Sequence, residues 1–198
     1  MATITKEDIA AVILCGGQAK RMGSRDKGLI ALNNKPLISY SASIISKATS
    51  SIMVSANTNL DAYQEYGEVV RDNLAGFQGP LAGISSALEK TKKPYLLVTP
   101  CDGPFIQEIL IKRFIQAMSD KGTKLCVASD GGKIQPTFAF IDVSMKRNLE
   151  KFLHKGERKL GKWFKDNGAK EVDFSDQKQM FVNLNSPQDF EKLSITHS

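Results

Sequence analysis

Short apolar runs alternate with amphipathic stretches along most of the chain. Segments 9–14, 52–56, 95–98 and 125–128 are each continuous or nearly continuous in apolar residues. That is the pattern of strands covered on both faces, and it predicts central strands of a parallel sheet. Between them the period changes. Leu37, Ser41, Ile44, Ile45 and Ala48 follow Pro36, and Ile106, Ile109, Leu110, Phe114 and Ala117 follow Pro104, the three-to-four-residue spacing of helices with one buried face. A third helix is expected to start at Gly79-Pro80, with glycine as the cap, proline in the first position and Leu81, Ile84 and Leu88 facing inward. Ser186-Pro187-Gln188-Asp189 resembles a further start, built as a capping box. Segment 68–71 is a more polar strand candidate, and 136–142 has β character with its direction left open. Strand alternating with helix implies βαβ units, hence a three-layer α/β/α, Rossmann-like arrangement around a mostly parallel sheet.

Length and composition narrow the class. The 198 residues show no repeat, low-complexity tract or linker, so one domain spanning 1–198 is expected. No apolar run approaches the roughly 20 residues needed to cross a bilayer, so no membrane partner is expected. Lys6, Glu7 and Asp8 stand where an export signal would be apolar, and a cytoplasmic location is the expectation. Cys15, Cys101 and Cys126 are odd in number and far apart, which writes neither a disulfide framework nor a CxxC metal or redox site.

The net charge of +6 is local in origin: residues 145–170 hold nine Lys and Arg against three Asp and Glu. Two readings stay open, a pair of helices with solvated basic faces or a surface that contacts an anion. Phe152, Trp163 and Phe164, the aromatics of that region, fit helix core positions better than a base-stacking platform, and nucleic acid is not expected as a partner.

In an open α/β sheet, ligands bind beyond the carboxyl ends of the strands. The first run is followed there by Leu14-Cys15-Gly16-Gly17-Gln18-Ala19-Lys20-Arg21-Met22-Gly23-Ser24-Arg25-Asp26-Lys27-Gly28, with four glycines and four basic residues. Glycines admit phosphate close to the backbone, and N–H groups and cations neutralise it. The loop fits neither GxxxxGK[ST] nor GxGxxG, so it is neither a Walker loop nor a dinucleotide fingerprint.

Asn57 follows the second run and Asp72 follows 68–71; each is equally readable as a turn former or local cap. The glycines at 79 and 83 either pack a helix closely or leave room for a base or ribose. Asp102, in Thr99-Pro100-Cys101-Asp102-Gly103-Pro104, is a candidate Mg²⁺ ligand, since magnesium takes one or two protein carboxylates and fills its shell with water and phosphate. Its alternative is helix capping. Only His154 and His197 are present, so covalent catalysis by a nucleophile and base pair is disfavoured.

Taken together, Leu14-Cys15-Gly16-Gly17, Arg21-Met22-Gly23, Asp26-Lys27-Gly28, Gly79-Pro80-Leu81-Ala82-Gly83, Pro100-Cys101-Asp102, Gly156-Glu157-Arg158-Lys159 and Val182-Asn183-Leu184-Asn185-Ser186-Pro187 closely resemble the molybdenum cofactor guanylyltransferase family. The resemblance is collinear over almost the whole chain. It implies transfer of GMP from GTP to the terminal phosphate of molybdopterin, with pyrophosphate released. It further implies Mg²⁺ on Asp102, nucleotide contacts from Leu14, Cys15, Gly16, Gly17, Asn57, Asp72 and Gly79, and triphosphate contacts from Lys27 assisted by Arg21. Arg158, Lys159, Asn183 and Asn185 would lie toward the acceptor. The sequence departs from the family where Cys15 replaces the usual alanine and Ser24 a frequent glycine. Proteins that deliver or accept the cofactor are further expected partners. The alternatives are a related cytidylyl- or sugar-phosphate transferase and a non-catalytic nucleotide-binding adaptor.

Overall fold

The structure is a computed structural model that describes residues 3–15, 26–72, 79–184 and 189. In chain order its strands are β1 (Ile9–Leu14), β2 (Ala31–Leu32), β3 (Lys35–Pro36), β4 (Ile52–Ser55), β5 (Glu68–Val70), β6 (Tyr95–Pro100), β7 (Leu125–Ser129), β8 (Ile134–Asp142) and β9 (Lys170–Asp173). The helices are α1 (Leu37–Ile45), α2 (Leu60–Gln64), α3 (Pro80–Lys90), α4 (Glu108–Met118), α5 (Lys146–His154) and α6 (Leu160–Asp166).

Seven strands form one sheet in the order β5-β4-β1-β6-β8-β7-β9. All its pairings are parallel except those of β8, which runs against both β6 and β7. The expected strand at 136–142 is therefore longer at its start and reversed. A strand's two-residue period is the same read in either direction, which is why its sense was not legible.

Alternation along β1 shows how the layers are built. Ile9, Ala11 and Ile13 enter a core with Ile38 and Ile45 of α1, Tyr63 of α2 and Leu110 and Phe114 of α4. Ala10, Val12 and Leu14 enter the opposite core with Leu81, Ile84 and Leu88 of α3, Leu149 and Phe152 of α5, and Trp163 and Phe164 of α6. The outcome is the expected three-layer α/β/α fold. Trp163 and Phe164 are fully buried, as the helical spacing predicted.

Helix α3 starts where expected, with Gly79 as cap at φ +67° and Pro80 first. The sequence around Ser186-Pro187-Gln188-Asp189 lies almost entirely outside the described residues. Strand β6 runs two residues past the apolar run at 95–98, because its pairing with β1 continues to Leu14 opposite Pro100.

Candidate active site

Register brings four strand ends into one row. Val70 of β5 pairs with Ser55 of β4, Ser55 with Leu14 of β1, and Leu14 with Pro100 of β6. Backbone bonds extend the row past the strands: Ala56 N to Val70 O at 3.1 Å, Cys15 N to Ser55 O at 2.9 Å and Cys101 N to Leu14 O at 3.1 Å. Asp72, Asn57, Cys15 and Asp102 thus emerge side by side along one rim of the sheet.

Asp102 meets Lys27 there. The lysine Nζ donates to Asp102 Oδ2 in an ion pair whose side chains are only 20% and 16% exposed. These residues lie 75 positions apart in the chain. The capping alternative for Asp102 fails, because helix α4 is capped by position 107, a glutamine. On the flank toward β5, Asn57 Nδ2 donates to Asp72 Oδ2 at 2.9 Å and Asp72 N donates to Asn57 Oδ1 at 3.2 Å. The two side chains expected on the nucleotide side therefore form one reciprocal unit.

The Asp26-Lys27-Gly28 motif opens a short 3-10 turn, Lys27–Leu29. Each residue has a distinct contact. Asp26 Oδ1 accepts from the Tyr63 hydroxyl, and Asp26 Oδ2 accepts from Thr58 Oγ1 and Asn59 Nδ2, both at 3.1 Å. Gly28 lies against Tyr63, where an added Cβ would stand 2.7 Å from the phenol oxygen and 3.3 Å from Cys101 Sγ. A side chain there would force the tyrosine away.

Burial raises the pKa of both Tyr63 and Cys15, with Cys101 beside Cys15 adding to its rise. Cys15 is accordingly a packed neutral thiol beneath the rim.

Two further segments reach the same rim. Leu184 N donates to Asp102 O at 3.3 Å, and Leu184 packs with Leu32 and Leu37, which brings the half-buried Asn183 beside the aspartate's backbone. Gly161 at the start of α6 lies over Ile134 and Pro136. Because β8 is reversed, these are its first residues and sit at the rim, so the 155–159 turn is there too. Within that turn, Arg158 Nη1 donates to the carbonyls of Leu153 and Glu157 at 2.8 and 2.7 Å, which closes the end of α5. Lys159 is exposed at the cap of α6.

Among the described residues nothing lies within 4 Å of a Cβ added to Gly79, whereas a Cβ on Gly83 would lie 2.2 Å from Ser55 Oγ. Of the two readings of these glycines, close packing describes Gly83. Gly16, Gly17, Arg21 and Asn185 lie outside the described residues. Sequence reasoning gave no role to Asp26, Tyr63, Thr58 or Asn59. Asp26 carried a signal, its place inside a motif, but its partners are 32 to 37 residues away.

A single carboxylate at a strand end suits magnesium, which completes its shell with water and phosphate oxygens. The Lys27 ammonium occupies Oδ2 of Asp102, so a metal ion on this carboxylate would take the lysine's place or use the other oxygen. No cluster of three or more potential metal ligands occurs among the described residues.

Comparison with known proteins places this rim in context. Residues 11–172 match the MobA-like NTP transferase domain family. A molybdenum cofactor guanylyltransferase of Vibrio vulnificus (strain YJ016) is 45% identical, covering 94% of this chain and 95% of its own. The corresponding protein of Shewanella loihica is 40% identical with the same coverage. Among solved structures, molybdopterin-guanine dinucleotide biosynthesis protein A from Archaeoglobus fulgidus superposes with TM-score 0.75 at 22% identity, over 95% of this chain and 97% of that one. A 4-diphosphocytidyl-2C-methyl-D-erythritol synthase from Anaerococcus prevotii gives TM-score 0.74 at 14% identity, covering 96% and 98%, a likeness of fold alone.

Proposed function

We propose, from the premise that this chain belongs to the molybdenum cofactor guanylyltransferase family among the MobA-like NTP transferases, that Lys27 and Asp102 form the centre at which it performs the family's reaction. That reaction transfers GMP from GTP to the terminal phosphate of molybdopterin and releases pyrophosphate. The observation that carries the site assignment is the Lys27–Asp102 pair at the end of β1 and β6.

In this reading Asp102 holds Mg²⁺, which when bound would neutralise polyphosphate charge. The Lys27 ammonium turns from the carboxylate to the triphosphate and stabilises charge on the transferring and departing groups. Arg21 assists it, and Gly16 and Gly17, following Leu14 and Cys15, let the backbone approach the phosphates. The Asn57–Asp72 unit takes the nucleoside side, and helix α3, opening at Gly79, directs its N-terminus to the same rim, a favourable end for anions.

On the other side of Asp102 stands Asn183, which with Asn185 holds the acceptor, with Lys159 and Arg158 toward its phosphate. The acceptor phosphate needs no protein base, because its second pKa of about 6 leaves it largely dianionic at neutral pH. Its oxygen attacks the α-phosphorus in line with the departing pyrophosphate, and alignment by these side chains supplies most of the acceleration. The protein acts as one domain, 1–198, in the cytoplasm, with cofactor-delivering and cofactor-accepting proteins as its contacts.

Pyrophosphate release is the test, measured with molybdopterin, Mg²⁺ and each of GTP, CTP, UTP and ATP in turn. GTP should be strongly preferred, and Asp102→Ala should lower turnover by roughly 10³-fold in a chain that is still folded though less stable. Parental turnover of Asp102→Ala would remove the aspartate from the site; equal use of CTP would remove the guanine assignment.

A further inference from the structure

We propose that Asp26 is a positioning residue for nucleotidyl transfer: tied to Tyr63, Thr58 and Asn59, it fixes the turn that sets the Lys27 ammonium at the rim. This inference rests on the role given to Lys27 above. Asp26 occupies the cap position of the turn Lys27–Leu29, yet its side chain makes no capping bond to that turn. Both carboxylate oxygens are instead engaged by three side chains from the segment after β4. An aspartate serving only local structure would cap its own turn.

The anchoring points are themselves constrained. Asn59 is held in the left-handed region at φ +50°, a conformation that asparagine tolerates better than most residues. Tyr63 is fully buried, and burial first, then the neighbouring Cys15 and Asp26, keep its phenol protonated as a donor. Gly28 closes the contact from the other side by leaving room for the tyrosine ring.

Thr58 and Asn59 directly follow Asn57, whose side chain pairs with Asp72. Asp26 therefore links the tip that carries the nucleoside contacts to the turn that carries the phosphate contact. A displacement of about 1 Å in such a frame can cost on the order of 100-fold in rate.

The experiment is a double-mutant cycle on GTP-dependent pyrophosphate release with molybdopterin, combined with thermal unfolding of each variant. Asp26→Ala should lower kcat by roughly 10- to 100-fold, more than it changes KM for GTP, in a chain that still unfolds cooperatively with a melting temperature lowered modestly by the stranded Tyr63 hydroxyl. In the Lys27→Ala background the same substitution should cost little further, because a residue acting through Lys27 has nothing left to position.

Equal losses in both backgrounds would overturn the inference and make Asp26 a general structural residue. A normal kcat for Asp26→Ala beside an impaired Lys27→Ala would overturn it while leaving the Lys27 assignment standing. Normal turnover of Lys27→Ala would remove both. Should Asp26→Ala fail to fold, Tyr63→Phe, which keeps the ring against Gly28 and loses only the donor, runs through the same cycle with the same expected and overturning outcomes.

Discussion

Thr99 and Lys27 show how differently polar groups are treated below and at the rim. Lys27 and Asp102 are mostly shielded from water but compensate one another, so deleting either strands the other in a poorly solvated place. The Thr99 hydroxyl, on β6 two residues before Cys101, is fully buried and has no hydrogen-bond partner among the described residues. Thr99→Val keeps the shape and removes an unsatisfied group, so it should stabilise the chain by about 1 kcal/mol, read as a higher denaturant midpoint at unchanged slope. A lower midpoint would mean that the hydroxyl has a bonding role in solution. Asp102 and Asn57 were legible as candidates because each follows an apolar run, and Lys27 through the Asp26-Lys27-Gly28 motif of the family the sequence resembles. Their partners were less so: nothing local to Asn57 announces Asp72, and nothing local to Asp26 announces Tyr63, whose five-residue helix is too short to show a period.

Among the elements, α3 is held to the sheet more closely than a side chain at position 83 allows. An added Cβ there would meet Ser55 Oγ at 2.2 Å, Ser55 Cβ at 2.9 Å and a methyl of Leu14 at 3.2 Å. Gly83→Ala should therefore push the helix outward and destabilise the chain by about 1–3 kcal/mol despite alanine's better helix propensity. Calorimetry checks the sign, and a gain in stability would refute the packing argument. The central strands β1, β4, β6 and β7 were readable because burial on both faces makes them uniformly apolar. Strand β9 was not, since Lys170-Glu171-Val172-Asp173 buries only its valine and carries charges suited to a sheet edge. The hairpin of β2 and β3 also escaped notice, although Asn33 and Asn34, at φ +49° and +61°, are suited to the tight turn that joins it.

Across the whole molecule, buried acids set its behaviour at high pH. Burial pushes the Cys126 thiol from its ordinary 9.0 up to about 12, and raises Cys15 and Tyr63 as well. Below pH 9 the folded and unfolded chains both keep the Cys126 proton, so its contribution to stability is fully present. As pH rises toward 12 the unfolded thiol ionises first, and stability falls by about 1.4 kcal/mol per pH unit for such a group. Urea unfolding at stepped pH should show this decline beginning near 9, and Cys126→Ala, though less stable at neutrality, should decline less steeply; parallel curves would exclude the thiol as a cause. The basic surplus of 145–170 is partly compensated, with Lys146, Lys162 and Lys170 paired to Glu150, Glu157, Asp166 and Asp120, a distribution that composition does not reveal. The bond from Leu184 N to the carbonyl of Asp102 joins segments of the chain that are made far apart in time. On the ribosome, the glycine loop and the aspartate are made well before Leu184, so a growing chain gains this strut later than the groups it braces.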